Sequence, residues 1–222
     1  MWWEFLVCAV LGYGVGSIPV GLIVGRVARG IDIRQYGSGK TGFTNVLRTV
    51  GTRWGVVALI GDLAKGALPV VVARLLADDP YLQATAGLAA AVGHDWPALA
   101  GFQGGRGVST SFGAALAMSP IAAAALLPVG IGLVAYTRIM TVMTVGMTPV
   151  LAIVFVALAV AGYHSWAYAV YAVVAAVMVI VLHRENIERL IAGTEPRLGE
   201  GGSRREGATT AEPPIAEAPQ ID

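Results

Sequence analysis

Long apolar stretches separated by short polar loops dominate the chain. Apolar runs cover residues 4–27, 54–77, 81–100, 140–161 and 164–182. Each is near the length of about 20 apolar residues that crosses a bilayer as a helix. A further stretch, 108–136, is apolar throughout but interrupted at Ser119-Pro120 and again at Pro128. It reads as one long helix or as a short hairpin. Trp2 and Trp3 precede the first run and suit interface anchors. No basic segment stands before that run, so 5–27 reads as a retained first helix and not as a signal peptide.

Charge sorts the loops between these runs. Residues 26–53 carry Arg26, Arg29, Arg34, Lys40, Arg48 and Arg53 against one acid, Asp32. The segment GFQGGRG carries Arg106, and the chain from His183 onward carries five arginines. The positive-inside rule places all three in the cytoplasm. The acidic turn ADDP at 77–80, and AGYHSW at 161–166 without Lys or Arg, suit the outer side. Three spans lead from an outer N-terminus to GFQGGRG, and an even number must lead from there to a cytoplasmic C-terminus. A break at Pro120 gives four, with one or both of the first pair short, and puts Arg138 on the cytoplasmic side. The favoured architecture is an all-α polytopic membrane protein of about seven helical passes, N-terminus outside and C-terminus in. Five passes is the alternative.

Composition agrees with this layout. Apolar types make up 56% of the 222 residues and charged types 13%, against roughly 25% charged in a soluble domain. Mean hydropathy is +0.69. A net charge of +1 gives no basis for binding nucleic acid. One cysteine, Cys8, excludes an internal disulfide framework and a cysteine-based metal site. Residues 200–222 are rich in Gly, Pro, Ala and Glu and are expected to form a disordered cytoplasmic tail after a membrane domain of 1–199.

The first basic loop spells YGSGKTGFTN, residues 36–45. Gly39-Lys40-Thr41 resembles the end of a nucleotide P-loop, but Arg34 stands where the first glycine of that motif belongs. No soluble α/β domain is available to hold one. The underlying chemistry survives, because glycines let backbone N–H groups converge on an anion. Gly37, Gly39, Gly42, Ser38, Thr41, Thr44, Asn45 and Arg48 make a phosphate-binding inventory. A second loop, GFQGGRGVST at 101–110, sets Gly104, Gly105 and Gly107 around Arg106 and runs straight into a helix whose N-terminus adds free N–H groups. A third motif, HRENIERLIAGTEPRLG at 183–199, puts His183 and Asn186 on one helix face, with Glu185 and Arg189 as an i,i+4 pair. Three loops on one side, each with a guanidinium, suit a reaction between two phosphate compounds, one of them lipidic. Within the second span Asp62 and Lys65 read as a structural ion pair. His94 in GHDWP reads as a hydrogen-bonding residue at a helix end.

GSIPVGLIVGR, GIDIRQYGSGKTGFTNVLRTVG, GDLAKGALPV, AAVGHDWPALAGFQGGRGVST and HRENIERLIAGTEPRLG stand in this order from about residue 12 to 199. In this the chain resembles the bacterial acyl-phosphate:glycerol-3-phosphate acyltransferase family. The resemblance implies a seven-helix enzyme of the inner membrane, with its active site on the cytoplasmic side. It would move a fatty acyl group from acyl phosphate to the 1-hydroxyl of glycerol 3-phosphate, giving lysophosphatidic acid and phosphate. No cofactor or metal is implied, and a soluble phosphate acyltransferase that makes the donor is a plausible partner. By motif position Ser38, Arg48, Arg106, His183 and Asn186 would serve glycerol 3-phosphate. The loop amides of Gly37, Gly39, Gly42, Gly104, Gly105 and Gly107, with Thr44 and Asn45, would hold the acyl-phosphate head. Two positions depart from the family pattern. Lys40 replaces an asparagine, and Arg106 replaces a lysine, keeping its charge and adding a bidentate fork.

Acyl phosphate is a mixed anhydride with a good leaving group, so positioning and charge stabilisation suffice. The family proposal lets the donor phosphate take the hydroxyl proton, with Ser38 orienting substrate. The competing reading makes His183 a general base, since an ordinary histidine pKa of about 6.5 suits that role. A transporter for organic phosphates would also need basic pockets, but it should show inverted repeats or a polar path across the membrane. Neither is visible. A non-catalytic lipid-binding scaffold leaves the paired glycine loops unexplained.

Overall fold

The computed structural model describes residues 2–205. Eleven helices and two 3-10 turns account for the regular structure of these residues. The first apolar run is α1 (Trp2–Gly16) and α2 (Val20–Arg29), separated by Ser17, Ile18 and Pro19. The continuous first helix expected over 5–27 is therefore broken. Proline offers no N–H to the preceding turn, and Ile18 is left with a carbonyl that accepts from Lys65 Nζ at 2.9 Å. A short helix, α3 (Phe43–Thr49), lies between the first loop and α4 (Thr52–Ala77). After α5 (Pro80–Asp95) and the second loop come α6 (Val108–Met118), α7 (Pro120–Ala124) and α8 (Leu127–Thr137). Ser119-Pro120 breaks the chain between α6 and α7, at the position the sequence indicated. α9 (Met140–Val160), α10 (Trp166–Leu182) and α11 (Arg184–Ile191) complete the set.

Among the described residues, Trp2–Arg29, Thr52–Ala77, Pro120–Thr137 and Met140–Val160 are long and apolar enough to cross a membrane; α10 meets that length only when taken together with α11, from which it is bent by 60°. α5 and α6, at 16 and 11 residues, are shorter. At about 1.5 Å per residue they reach roughly 24 and 16 Å. The protein is an all-helical, multi-pass membrane protein.

α1 packs along α5, and α4 along α6. The second pairing depends on small residues: Gly66 faces Thr110 and Gly113 faces Leu63 with no room for a Cβ at either glycine. Close backbone approach of this kind is how membrane helices gain packing without a hydrophobic drive between them. It also sets the N-terminus of α6 beside the middle of α4.

The bundle has two distinct ends. At one, Gln83 Oε1 accepts from Arg74 Nη2 (3.1 Å) and the Tyr168 hydroxyl (2.6 Å), and Ser119 Oγ lies 2.7 Å from His164 Nε2. This end holds 77–80 and 161–166. The other end gathers all three basic motifs. Arg138 belongs to it, since its carbonyl accepts from Leu198 N–H at 2.7 Å. The chain passes residue 199 still in contact with the first loop: Gly37 N–H donates to Ser203 and Arg205 N–H to Gln35. The tail expected from residue 200 therefore begins seated on the fold, and its remainder, 206–222, lies outside the described residues.

Candidate active site

The first loop is built around one amide. Gly37 and Gly39 sit at φ +52° and +70°, the left-handed region that favours glycine. This curls the loop about Asn45, which is buried at the start of α3. Asn45 Nδ2 donates to the carbonyls of Ile33 (3.1 Å), Tyr36 (3.1 Å) and Lys40 (2.9 Å), and its Oδ1 accepts from Ser38 N–H (3.1 Å). The carboxamide expected to hold a phosphate is thus spent on the loop, which it fixes so that Ser38 is presented to the interior. Arg48 extends from α3. One guanidinium nitrogen donates to the Pro196 carbonyl at 2.9 Å, while Nε is buried without a partner.

The second loop rests on His94. Gly105 N–H donates to the His94 carbonyl (3.1 Å), and the imidazole packs so closely on Gly105 that no side chain fits there. Gly104 meets His94 and Pro97 in the same way, and its carbonyl accepts from Thr41 N–H at 3.4 Å, which ties the two loops together. Gly107, at φ +69°, turns the chain into α6. Arg106 emerges between these glycines with Nε buried and unpartnered. Burial lowers the pKa of both Arg48 and Arg106, yet guanidinium stays charged. Two desolvated cations with open donors make a strong anion site.

The third motif adds acceptors. His183 follows the last residue of α10, and its Nδ1 lies 2.7 Å from the Val179 carbonyl. A carbonyl can only accept, so Nδ1 carries the proton and Nε2 is left as an acceptor. Burial, the larger cause, and neighbouring Arg106 pull its pKa down to about 4, so the ring is neutral at neutral pH. Asn186 Nδ2 donates to Glu195 Oε1 at 2.7 Å, leaving its Oδ1 buried and unpartnered. The Glu195 carboxylate, 1% exposed, also accepts from Thr141 Oγ1 (2.6 Å) and Arg189 Nε (2.8 Å). Burial alone would raise its pKa, but these hydrogen bonds outweigh that and hold it below the usual carboxylate range.

Ser38, Arg48, Arg106, His183 and Asn186 all line one cavity of about 610 Å³. Gly42, Thr44, Asn45 and Gly107 line it too, whereas Gly37, Gly39, Gly104 and Gly105 shape the loops from behind. Asp62 and His94 reach the same cavity. Asp62 Oδ1 lies 2.9 Å from Lys65 Nζ, the pair expected from their spacing, and 3.4 Å from His94 Nδ1. Glu195 and Thr141 are lining residues that sequence reasoning did not single out. Away from its polar end the cavity is walled by apolar residues of α8, α9 and α10.

A cavity with paired guanidinium groups and acceptors for hydroxyls at one end and mostly apolar lining elsewhere fits a phosphate-bearing polyol and a lipid. The family model described as glycerol-3-phosphate acyltransferase matches residues 6–193. The chain belongs to the glycerol-3-phosphate acyltransferase family. A relative of that name from Synechococcus sp. (strain CC9902) is 43% identical over 197 residues, covering 89% of this chain and 96% of its own. The fold is similar to PlsY (YgiH), an integral membrane glycerol 3-phosphate acyltransferase. Its crystal structure in a glycerol 3-phosphate form has a TM-score of 0.78 at 34% identity, covering 88% of this chain and 96% of the other. A lysophosphatidic acid form has a TM-score of 0.77 at 34% identity, covering 87% and 94%. The glycerol-3-phosphate acyltransferase family resemblance read from the five motifs is thereby confirmed, and the chain is an enzyme of that family.

Proposed function

We propose that the protein transfers a fatty acyl group from acyl phosphate to the 1-hydroxyl of glycerol 3-phosphate. The hydroxyl oxygen bonds to the acyl carbon, the bond from that carbon to the phosphate oxygen breaks, and inorganic phosphate and lysophosphatidic acid leave. The observation that carries this reading is one cavity lined by Arg48, Arg106, His183 and Asn186 together with many apolar residues of α8, α9 and α10. The guanidinium groups take the glycerol phosphate, and His183 Nε2 and Asn186 Oδ1 accept from glycerol hydroxyls. The open N–H groups at the start of α6 and the backbone of Gly42 and Thr44 receive the donor phosphate. Ser38 orients substrate without forming an acyl-enzyme. Neutralising the phosphate improves it as a leaving group, and fixed donors stabilise charge developing on the acyl oxygen. The relatives' names and the two PlsY forms support the acceptor and product.

The donor phosphate takes the hydroxyl proton in this scheme. His183, with a pKa of about 4, is too weak a base to do so and acts as an orienting acceptor. His183→Gln is expected to lower kcat/KM while leaving the shape of its pH profile between about pH 6 and 8 unchanged. Disappearance of an acid limb near pH 6.5 in the variant would make His183 the base.

Seven passes complete the proposal, with α5 and α6 as short crossings, the N-terminus outside and the three motifs in the cytoplasm of a bacterial cell, at its inner membrane. A soluble phosphate acyltransferase supplies the donor there. Measuring phosphate release from palmitoyl phosphate with purified protein tests the reaction.

A further inference from the structure

A line of buried polar contacts runs from the break in the first helix to the loop that carries Arg106. The Ile18 carbonyl, just ahead of Pro19, accepts from Lys65 Nζ at 2.9 Å. Lys65 Nζ lies 2.9 Å from Asp62 Oδ1, and the same oxygen lies 3.4 Å from His94 Nδ1. The Nε2 edge of the imidazole presses on Gly105, the residue before Arg106. Asp62, Lys65 and His94 are all buried.

A buried ion pair is a weak source of stability, because desolvation offsets most of the attraction. The helix that carries this pair, α4, already grips α6 through Gly66 and Gly113, where no Cβ fits. That joint does not use the charges. What the pair reaches is His94. A carboxylate only accepts, so it turns a protonated Nδ1 towards Asp62 and leaves the Nε2 edge against Gly105. We propose that Asp62 and Lys65 are positioning residues for the reaction: they hold the His94 ring against Gly105 and so aim the Arg106 guanidinium at the phosphate of glycerol 3-phosphate. The inference rests on the acyl-transfer reading above, in which Arg106 takes that phosphate. The N-terminus of α6, assigned there to the donor, is set by the glycine contacts with α4. Loss of the pair therefore acts on one substrate and spares the other.

The test measures thermal unfolding and KM for each substrate in the purified full-length protein. The first variant combines Asp62→Leu with Lys65→Met, which removes both charges together, a change that often leaves stability unaltered. It is expected to unfold close to the wild type, to raise KM for glycerol 3-phosphate at least about tenfold, and to keep KM for palmitoyl phosphate within about twofold. Placed on top of Arg106→Ala, the same two changes should bring no further loss, since a pair that works through Arg106 has nothing left to aim. If the double variant does not fold, Asp62→Asn, of the same shape, decides the matter, with KM for glycerol 3-phosphate raised at least about threefold. An unchanged KM for glycerol 3-phosphate in the folded variant, an equal rise for both substrates, or a loss that adds to that of Arg106→Ala would overturn the proposal and leave the pair a structural support. Failure of the wild type on every acyl phosphate would instead overturn the acyl-transfer reading.

Discussion

Replacing Arg106 by alanine lowers kcat/KM by about a thousandfold, the range seen when one preorganised donor is removed from a developing charge. Arg106 stands between glycines whose backbone is locked on His94, its Nε is buried without a partner, and it faces the cavity. Its loss leaves a phosphate in a desolvated pocket with Arg48 as the remaining guanidinium among the lining residues. Arg106→Lys restores the charge without the fork and should recover most of the activity, since a single cation at this point still meets the phosphate. Steady-state kinetics of the two variants check this. A lysine variant as poor as the alanine variant would show that the planar fork, and not the charge, is what the site uses.

Asn45→Ala has the second large effect, on both stability and rate. The substitution strands the carbonyls of Ile33, Tyr36 and Lys40 and the N–H of Ser38 inside the first loop. Each buried group left unpaired costs about 1–3 kcal/mol, so a net loss of about 3 kcal/mol is expected as the loop relaxes. Ser38 then loses its placement, and kcat/KM falls by about a hundredfold. Thermal unfolding and kinetics measured on the same sample distinguish the roles. A raised KM with unchanged thermal stability would mean that Asn45 binds substrate directly and does not organise the loop.

The sequence made the polar side chains that share the cavity legible because each sits in a local context that needs it. Glycines flank Ser38 and Arg106, and His183 and Asn186 fall on one face of a helix leaving the membrane. The Asp62–Lys65 pair follows from i,i+3 spacing alone, and Pro120 marks a helix start. The break at 17–19 does carry a signal, Pro19, whose missing N–H bars a continuous helix, but the apolar character of 4–27 on both sides of it outweighs that signal in a reading by hydropathy. Asn45 was legible as part of a phosphate loop but not as its internal strut, which depends on how Gly37 and Gly39 turn the chain. Glu195 was missed for a different reason. It lies in a Gly-Thr-Glu-Pro turn that looks exposed, and it is buried only because the chain folds back on Thr141, 54 residues earlier. The apolar part of the cavity is least legible of all. Ala172, Ala175 and Ala176 line it, and sequence periodicity records side chains that are present, not the gaps between them.

The most direct measurement is turnover by the purified protein in detergent or lipid, with palmitoyl phosphate and glycerol 3-phosphate as substrates. Equimolar phosphate and 1-acyl lysophosphatidic acid, each requiring both substrates and neither formed from acyl-CoA, is the predicted result. No turnover with any acyl phosphate, or lysophosphatidic acid formed from acyl-CoA instead, would contradict it.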